Sequence, residues 1–254
     1  MRGMSTHTIR TDTDTSMGTD AGAARILRQS SAAGGSRRRL WQLISPTLPV
    51  GAYSYSTGLE YAVDAGWLRT PAQVRDWIEA QLLEVHGRVD LPALARLHAA
   101  WADADPAALE RWNGWLRASR ETSELRMEDL GQGRALARLL ADLGVAEASA
   151  WAARDDGCWA TAFALAVHCW DIPLDEAMEG YLWAWCENQV AAAVKLVPLG
   201  QTQGQRMLAE LADTIGTVAE RAAAVDDAGM GGGLPGVNLA SVLHETQYSR
   251  MFRS

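Results

Sequence analysis

The sequence predicts an all-α protein, a single helical bundle of about eight to ten helices. Apolar residues recur at spacings of three and four over most of the chain beyond residue 40, which is the period of a helix with one buried face. β-branched residues are sparse relative to alanine and leucine, and no segment shows the apolar–polar alternation of a strand. Helix-start patterns precede several of the periodic segments.

Two helices have well-defined predicted starts. Thr70-Pro71-Ala72-Gln73 places a capping residue before proline at the first helical position and glutamine at the third. The apolar stripe that follows contains Val74, Trp77, Ile78, Leu82 and Val85. Asp105-Pro106 opens a second helix in the same way. Its stripe contains Leu109, Trp112 and Leu116.

The second half of the chain continues the helical period. Residues 176–197 form the longest periodic run, and residues 208–218 carry the pattern further. Between residues 117 and 128, the pairs Arg117/Glu121 and Arg120/Glu124 stand four residues apart. Oppositely charged pairs at this spacing predict a solvated helical face.

The first segment of the bundle is less regular. Residues 40–44 are predicted as a short turn that the following prolines terminate. A loop presenting Tyr53 and Tyr55 then leads into Thr57-Gly58-Leu59-Glu60, a capping-box pattern at the start of a helix. We therefore expect two tyrosines on display in front of a helix.

Composition shifts divide the chain into four parts. Residues 1–39 have no periodic apolar face and are predicted to be a disordered extension. Residues 40–225 form the all-α domain. Residues 226–238 are rich in glycine and predict a flexible linker, which leaves residues 239–254 as a C-terminal tail.

The distribution of charge and apolar residues excludes two classes of partner. The whole chain carries a net charge of −8; residues 1–39 contain seven arginines and three aspartates, so the rest carries −12. A body this acidic does not suit nucleic acid. The longest charge-free apolar stretch, residues 157–170, is shorter than the roughly 20 residues of a membrane-spanning helix. The absence of a signal segment and the odd number of cysteines, three, predict a cytoplasmic, disulfide-free protein.

The sequence contains no motif that predicts an enzyme. Lys195 is the only lysine and follows a valine, so the chain has no GK[ST] phosphate loop. Residues 231–236 match GxGxxG formally, but no strand precedes them. His244 begins an HExxH-like sequence in which Tyr248 replaces the second ligand. We expect no catalytic residues and no directly bound cofactor.

A metal site built by histidines and cysteines is the alternative to consider. Cys158 and Cys169 would lie about 16 Å apart along one helix, too far to share a metal ion. Buried core cysteines are the simpler interpretation for this pair and for Cys186. His168 is more often a core or interface histidine than a ligand.

Four stretches of the chain, taken together and in order, resemble the UreF family of urease accessory proteins. They are residues 43–56 with 58–60 (LISPTLPVGAYSYS and GLE), 120–126 (RETSELR), 185–190 with 195–201 (WCENQV and KLVPLGQ), and 244–254 (HETQYSRMFRS). They span the chain from residue 40 to its end. Residues 1–39 have no counterpart in the resemblance.

The resemblance implies a non-catalytic, all-α homodimer that acts in urease maturation. In this family the protein bridges UreD (also called UreH) to the GTPase UreG, which handles the nickel and the GTP, and the assembly delivers nickel to apo-urease. The family's C-terminal tail becomes ordered on UreD binding and supports a tyrosine-bearing loop that helps to receive UreG. Matched by motif, the resemblance implies partner-binding roles for Tyr53, Tyr55, Lys195, Tyr248 and Arg250.

The residues themselves make these roles physically reasonable. A tail behind a glycine-rich segment is too short to build a core, and such segments order on contact. Arg250 can donate several directed hydrogen bonds to loop carbonyls. The alternative that stays open is a nickel-carrying helical protein that uses His168, His244 and the cysteines as direct ligands.

Overall fold

The computed structural model describes residues 33–254. This part of the chain contains ten helical segments and no strand, which confirms the all-α prediction. The α-helices are α1 Ala33–Leu43, α2 Leu59–Asp64, α3 Pro71–Gln81, α4 Leu91–Ala102, α5 Pro106–Ser119, α6 Ser123–Asp142, α7 Ala148–Ala152, α8 Trp159–Cys169, α9 Leu174–Leu196, α10 Gln201–Ala222 and α11 Pro235–His244. A π-helix, Leu82–Asp90, joins α3 to α4 without a break, so these three count as one segment.

Helix α3 begins as its sequence predicts. The Thr70 hydroxyl accepts a hydrogen bond from the Gln73 amide at 3.3 Å, and the Gln73 side chain accepts one from the Thr70 amide at 3.1 Å. This reciprocal capping satisfies two amide groups that the first helical turn leaves unpaired. Asp105 caps α5 through the amides of Ala107 and Ala108, both at 3.0 Å. Both predicted helix starts are confirmed.

Helix α8 is the centre of the core. Every residue from Ala160 to Val167 is buried, so this helix is covered on all sides. Helices α4, α6 and α7 pack around it, and α1 contacts it as well. Fully burying each large apolar side chain, such as Phe163, contributes about 1.5–3 kcal/mol. Because α8 lacks a polar face, it can be stable only inside such a bundle.

The long helices α9 and α10 pair on one side of the core. Helix α10 also packs on α3 and on the π-helix, whereas α11 packs on α2 and α6. The last helix, α11, therefore lies beside α2, near the start of the bundle. This arrangement places the C-terminal tail next to the loop that precedes α2.

The predicted solvated helical face at residues 117–128 is wrong. Helix α5 ends at Ser119 and α6 begins at Ser123, with Thr122 as its cap accepting from the Leu125 amide at 3.2 Å. The side chain of Arg120 is only 12% exposed. It turns inward because two buried carboxylates, rather than the residue four positions ahead, are its partners.

Two predicted boundaries also shift. Helix α1 begins at Ala33, so residues 33–39 belong to a helix instead of the predicted extension, and residues 40–43 are its last turn rather than part of an isolated one. Residues 1–32 lie outside the described residues. Proline at the first helical position starts α11 at Pro235, inside the predicted linker.

The capping box predicted at Thr57 is wrong. Thr57 has a positive φ of 53°, and Gly58 takes the position before α2. The Ser56 hydroxyl accepts the Glu60 amide instead, at 3.3 Å. The side chains of Thr57 and Glu60 are therefore left for contacts elsewhere. Within residues 33–254, no helix combines the length and apolar character needed to cross a membrane.

Candidate functional site

The last ten residues, 245–254, form a terminal segment that lies against the loop before α2. This tyrosine loop, residues 51–57, contains a single 3₁₀ turn at Ala52–Ser54. The Arg253 amide donates to the Ser54 carbonyl at 2.8 Å, and the Ser56 amide donates to the Ser254 carbonyl at 2.9 Å. Backbone hydrogen bonds in both directions thus join the terminal segment to the tyrosine loop.

A buried polar cluster holds the start of the terminal segment. The His244 ring lies between two carboxylates, with Nε2 3.1 Å from Glu60 Oε2 and Nδ1 2.8 Å from Glu124 Oε2. Arg250 donates to the other oxygen of Glu124 at 3.1 Å. We call Glu60, Glu124, His244 and Arg250 the carboxylate clasp. An imidazolium can donate to both carboxylates at once, whereas a neutral imidazole can donate to only one.

The clasp is electrostatically constrained. His244 is fully buried, and Glu60 and Glu124 are 6% and 2% exposed. Burial raises the pKa of Glu124, and His244 and Arg250 oppose that rise. Buried carboxylates are stable only with donors at hand. Glu124 therefore needs the donor groups of His244 and Arg250, and these contacts in turn hold the terminal segment in place.

A second buried carboxylate, Glu128 on α6, lies under the other end of the terminal segment. Its Oε2 accepts from the Ser254 hydroxyl at 2.8 Å, and its Oε1 accepts from the Thr57 hydroxyl at 3.3 Å. Gln189 on α9 donates to the Thr57 hydroxyl at 3.0 Å. Burial raises the pKa of Glu128 to about 7. This carboxyl group thus joins the terminal segment, the tyrosine loop and α6.

Helix α9 supplies the remaining wall of the site. The exposed Lys195 places its ammonium 5.5 Å from the centre of the Phe252 ring, within reach of a cation–π interaction. Phe252 itself is buried. Asn188 donates to the carbonyl of Tyr55 at 3.2 Å. Helix α9 therefore contacts both the terminal segment and the tyrosine loop.

The five residues predicted to bind partners have different surroundings. Tyr248 is fully exposed and Tyr53 is 70% exposed. The Arg250 side chain is 41% exposed, and it binds Glu124 rather than the loop carbonyls expected from the sequence. Tyr55 is buried at 9% exposure, so the loop displays one tyrosine instead of two. Lys195 lies against the terminal segment that contains Arg250, and Tyr53 belongs to the loop that is hydrogen-bonded to that segment. The binding roles of all five residues stay predictions.

A cavity of about 230 Å³ lies behind the tyrosine loop. Tyr53, Thr57 and Glu128 form part of its wall, and Asp90 and Arg120 line it from the interior. Gly232 also borders it; a Cβ at that position would lie 2.5 Å from the Glu84 carbonyl, so only glycine fits against the π-helix there. The predicted linker is therefore packed at this point, with the Gly231 amide donating to the Arg88 carbonyl at 3.0 Å.

The groups named for direct nickel binding have other surroundings. Both ring nitrogens of His244 already face carboxylates. Burial raises the pKa of Cys186 to about 12 and raises that of Cys158 further, which disfavours the thiolate that a metal requires. His168 faces His98 with ring centres 6.2 Å apart. Within residues 33–254, no three His, Cys, Asp or Glu side chains are grouped to hold a metal ion.

Local sequence patterns do not identify the residues that hold the site together. They predict a capping box for Glu60 and a solvated helical face for Glu124. For His244 they suggest only a possible metal ligand, and they give Glu128 no role. Each of the first three lies in a stretch that resembles the UreF family, at GLE, RETSELR and HETQYSRMFRS. Their position in these stretches is the sequence signal that could have identified them.

Fold and site together define an all-α protein whose candidate site is a terminal segment docked on a helical body. The family model described as UreF matches residues 68–212, more than half of the chain. The chain is 63% identical over 218 residues to the urease accessory protein UreF of Alkalilimnicola ehrlichii, covering 86% of this chain and 96% of that protein. It belongs to the UreF family of urease accessory proteins.

Two further relatives support the same assignment. The urease accessory protein UreF of Azoarcus sp. is 50% identical over 221 residues, covering 85% of this chain and 94% of its own length. That of Teredinibacter turnerae is 47% identical over 215 residues, with coverages of 85% and 97%. The similarity therefore extends over nearly all of each relative.

Proposed function

We propose that this protein is a non-catalytic adaptor in urease maturation. As a homodimer it bridges UreD (UreH) to the GTPase UreG in the cytoplasm, and UreG handles both nickel and GTP. The resulting assembly delivers nickel to the urease apoprotein. Family membership supports the role in urease maturation, and the bridging role is the further step that we propose.

The observation that carries the proposal is the docked terminal segment. Its backbone forms hydrogen bonds with the body, while Tyr248 is fully exposed and Met251 is 63% exposed. Tyr53 from the tyrosine loop and Lys195 from α9 lie beside it. A fixed backbone with outward side chains is what a docking surface needs, because little ordering entropy is then lost on binding. We assign this surface to UreG.

Helix α11 offers the second surface. Leu239 and Val242 stand three residues apart and are 50% and 49% exposed. Leucine and valine at this spacing form an apolar stripe on the outer face of the helix. Such stripes are typical of protein interfaces. We assign this face, which leads directly into the terminal segment, to UreD.

Size-exclusion chromatography of the purified protein with UreD and UreG tests the proposal. We expect a stable complex with UreD, and recruitment of UreG to that complex in the presence of GTP and nickel. A variant lacking residues 245–254 should lose UreG. A protein that stays monomeric and does not co-elute with UreD would contradict the adaptor role.

A nickel-binding measurement on the same purified protein distinguishes direct nickel transport from the adaptor function. Tight nickel binding by the isolated protein that is lost in His244→Ala would favour the carrier function. We expect no such binding, because the His244 ring is already bound on both sides.

A further inference from the structure

Glu60 lies in the first turn of α2 and is almost completely buried. The Ser56 hydroxyl accepts from its backbone amide, so the carboxylate is free to point away from its own helix. A glutamate in a first helical turn is favoured by the helix dipole. That preference explains an acidic residue here, but it does not explain where the carboxylate points.

Within residues 33–254, the three hydrogen-bonding partners of this carboxylate all come from the end of the chain. The Met251 amide donates to Oε1 at 2.6 Å, and the Phe252 amide donates to Oε2 at 2.9 Å. The ring of His244, the last residue of α11, contacts the same Oε2 at 3.1 Å. One side chain therefore contacts both the end of α11 and the segment that follows it.

The contacts at residues 251 and 252 are made through the backbone. Two successive amides that converge on one carboxylate form a small anion-binding nest. Because the two amides bind different oxygens, the carboxylate sets the register of the segment as well as its position. The next amide, that of Arg253, continues onto the Ser54 carbonyl.

A contact made through the backbone leaves the side chains available. Met251 is 63% exposed, and the Arg250 side chain is 41% exposed. Phe252 instead turns inward under Lys195 and acts as an apolar anchor. The buried Phe252 ring resists removal of the segment, but a single aromatic ring does not determine which residues face outward. The two amide contacts to the Glu60 carboxylate determine this.

We infer that Glu60 is the positioning residue of the terminal segment: it binds the amides of Met251 and Phe252 and so fixes which side chains form the docking surface. The inference deepens the proposed function and rests on it for the consequence at UreG. The effect on the segment itself is independent of any partner.

The isosteric variant Glu60→Gln tests this inference. Glutamine keeps the volume but offers one acceptor oxygen, so its amide group must face a donor from the segment. We expect hydrogen exchange at the Met251 and Phe252 amides, resolved by NMR, to accelerate about tenfold or more, as expected for local opening. The amides of Leu165 and Ala166 in α8 should exchange as in the unmodified protein. Glu179→Gln, at an exposed position on α9, is the matched control and should change neither.

Unchanged exchange at residues 251 and 252 in Glu60→Gln would overturn the inference. Should that variant lose protection in α8 as well, Met251→Pro provides the second test, because it removes the donor from an exposed position instead of altering the buried carboxylate. We then expect faster exchange at Phe252 with α8 intact. Exchange at Phe252 that matches the unmodified protein would overturn the inference again.

Capture of UreG by the UreD complex separates the inference from the proposed function. We expect Glu60→Gln to weaken UreG capture about tenfold while UreD stays bound. If Glu60→Gln releases the segment and UreG is still captured in full, the terminal segment has no role in recognising UreG. Failure of the unmodified protein to capture either partner would refute the proposed function, and the exchange measurement would still decide the role of Glu60.

Discussion

The guanidinium of Arg120 forms two hydrogen bonds with the carboxylate of Asp90 inside the helical body. Its Nε also donates to Asp129 at 3.0 Å, and the hydroxyl of Tyr181 reaches Asp90 at 3.3 Å. Burial would raise the pKa of Asp90, but Arg120 and then His86 outweigh that effect and hold it well below its ordinary value. This pair joins the end of the π-helix to the loop that begins α6.

Replacing Arg120 by methionine should destabilise the protein by about 3–5 kcal/mol, because two buried carboxylates lose their countercharge. Urea denaturation followed by circular dichroism measures the loss. Arg134→Met is the matched control, since its pair with Asp155 is exposed and should contribute at most about 1 kcal/mol. Equal losses in the two variants would show that the buried pair has no special role.

Glu128→Gln should change how stability depends on pH. The pKa of Glu128 is raised from 4.5 to about 7 in the folded protein. The folded state therefore binds this proton more tightly, and the associated stability is present below pH 4.5 and is lost as pH rises towards 7. The full change in the free energy of unfolding is on the order of 3 kcal/mol.

The comparison is made by denaturation of both proteins at pH 5 and pH 8. We expect the variant to be more stable than the unmodified protein at pH 8 and to show a shallower fall between the two values. Some slope should remain, because burial also raises the pKa of Glu124. Identical slopes would contradict a raised pKa at Glu128.

Helices were predictable from the sequence because their signals are local. The cap at Thr70, the proline at position 71 and the stripe from Val74 onward all lie within one segment, and each was found as predicted. The break between α5 and α6 was missed because Arg120 takes partners from distant segments. A charge pair at helical spacing predicts a helix only when neither side chain has a stronger partner elsewhere.

The candidate site was predictable only through resemblance. The four stretches that resemble the UreF family meet in space, since Glu60, Glu124, His244 and Lys195 each come from a different one. No local rule connects these positions. The resemblance indicates that the tail supports the loop, but the groups that do so are backbone amides and carbonyls of residues 253 and 254, which every residue type carries and no sequence pattern marks.

Two glycines in helix interiors should respond to alanine in opposite directions. A Cβ at Gly133 in α6 would lie 2.3 Å from the Gly157 carbonyl, so the chain must move to admit it. A Cβ at Gly216 in α10 meets nothing within 4 Å. We expect Gly133→Ala to lower the melting temperature and Gly216→Ala to raise stability by about 0.5–1 kcal/mol. Similar shifts for both would show that the packing around α6 is looser than described.

Arg250→Ala should leave the fold and the dimer intact and abolish UreG recruitment. The side chain is 41% exposed, and its partner Glu124, although buried, keeps the His244 ring as a second partner at 2.8 Å. The loss of this one hydrogen bond should therefore cost about 1 kcal/mol of stability. Thermal denaturation and co-elution with UreD and UreG provide the two measurements. Arg250→Lys, which retains the charge but not the planar guanidinium, separates electrostatic from directional contributions. Unfolding of the alanine variant would instead show that the terminal segment belongs to the core.

Lys195→Ala should weaken UreG docking and leave UreD binding unchanged. The ammonium is exposed above the Phe252 ring at 5.5 Å, so it borders the segment assigned to UreG. Lys195→Arg keeps both the charge and the interaction with the ring, and should retain docking.

Because Lys195 is the only lysine in the chain, an amine-reactive reagent labels one side chain besides the N-terminal amine. Peptide mass spectrometry then reports the accessibility of this position directly. We expect rapid labelling of the free protein and of the UreD complex, and protection once UreG joins. Labelling that proceeds equally fast in the complete assembly would place UreG on another face, because an ammonium beneath a bound protein cannot react at the rate of an exposed one.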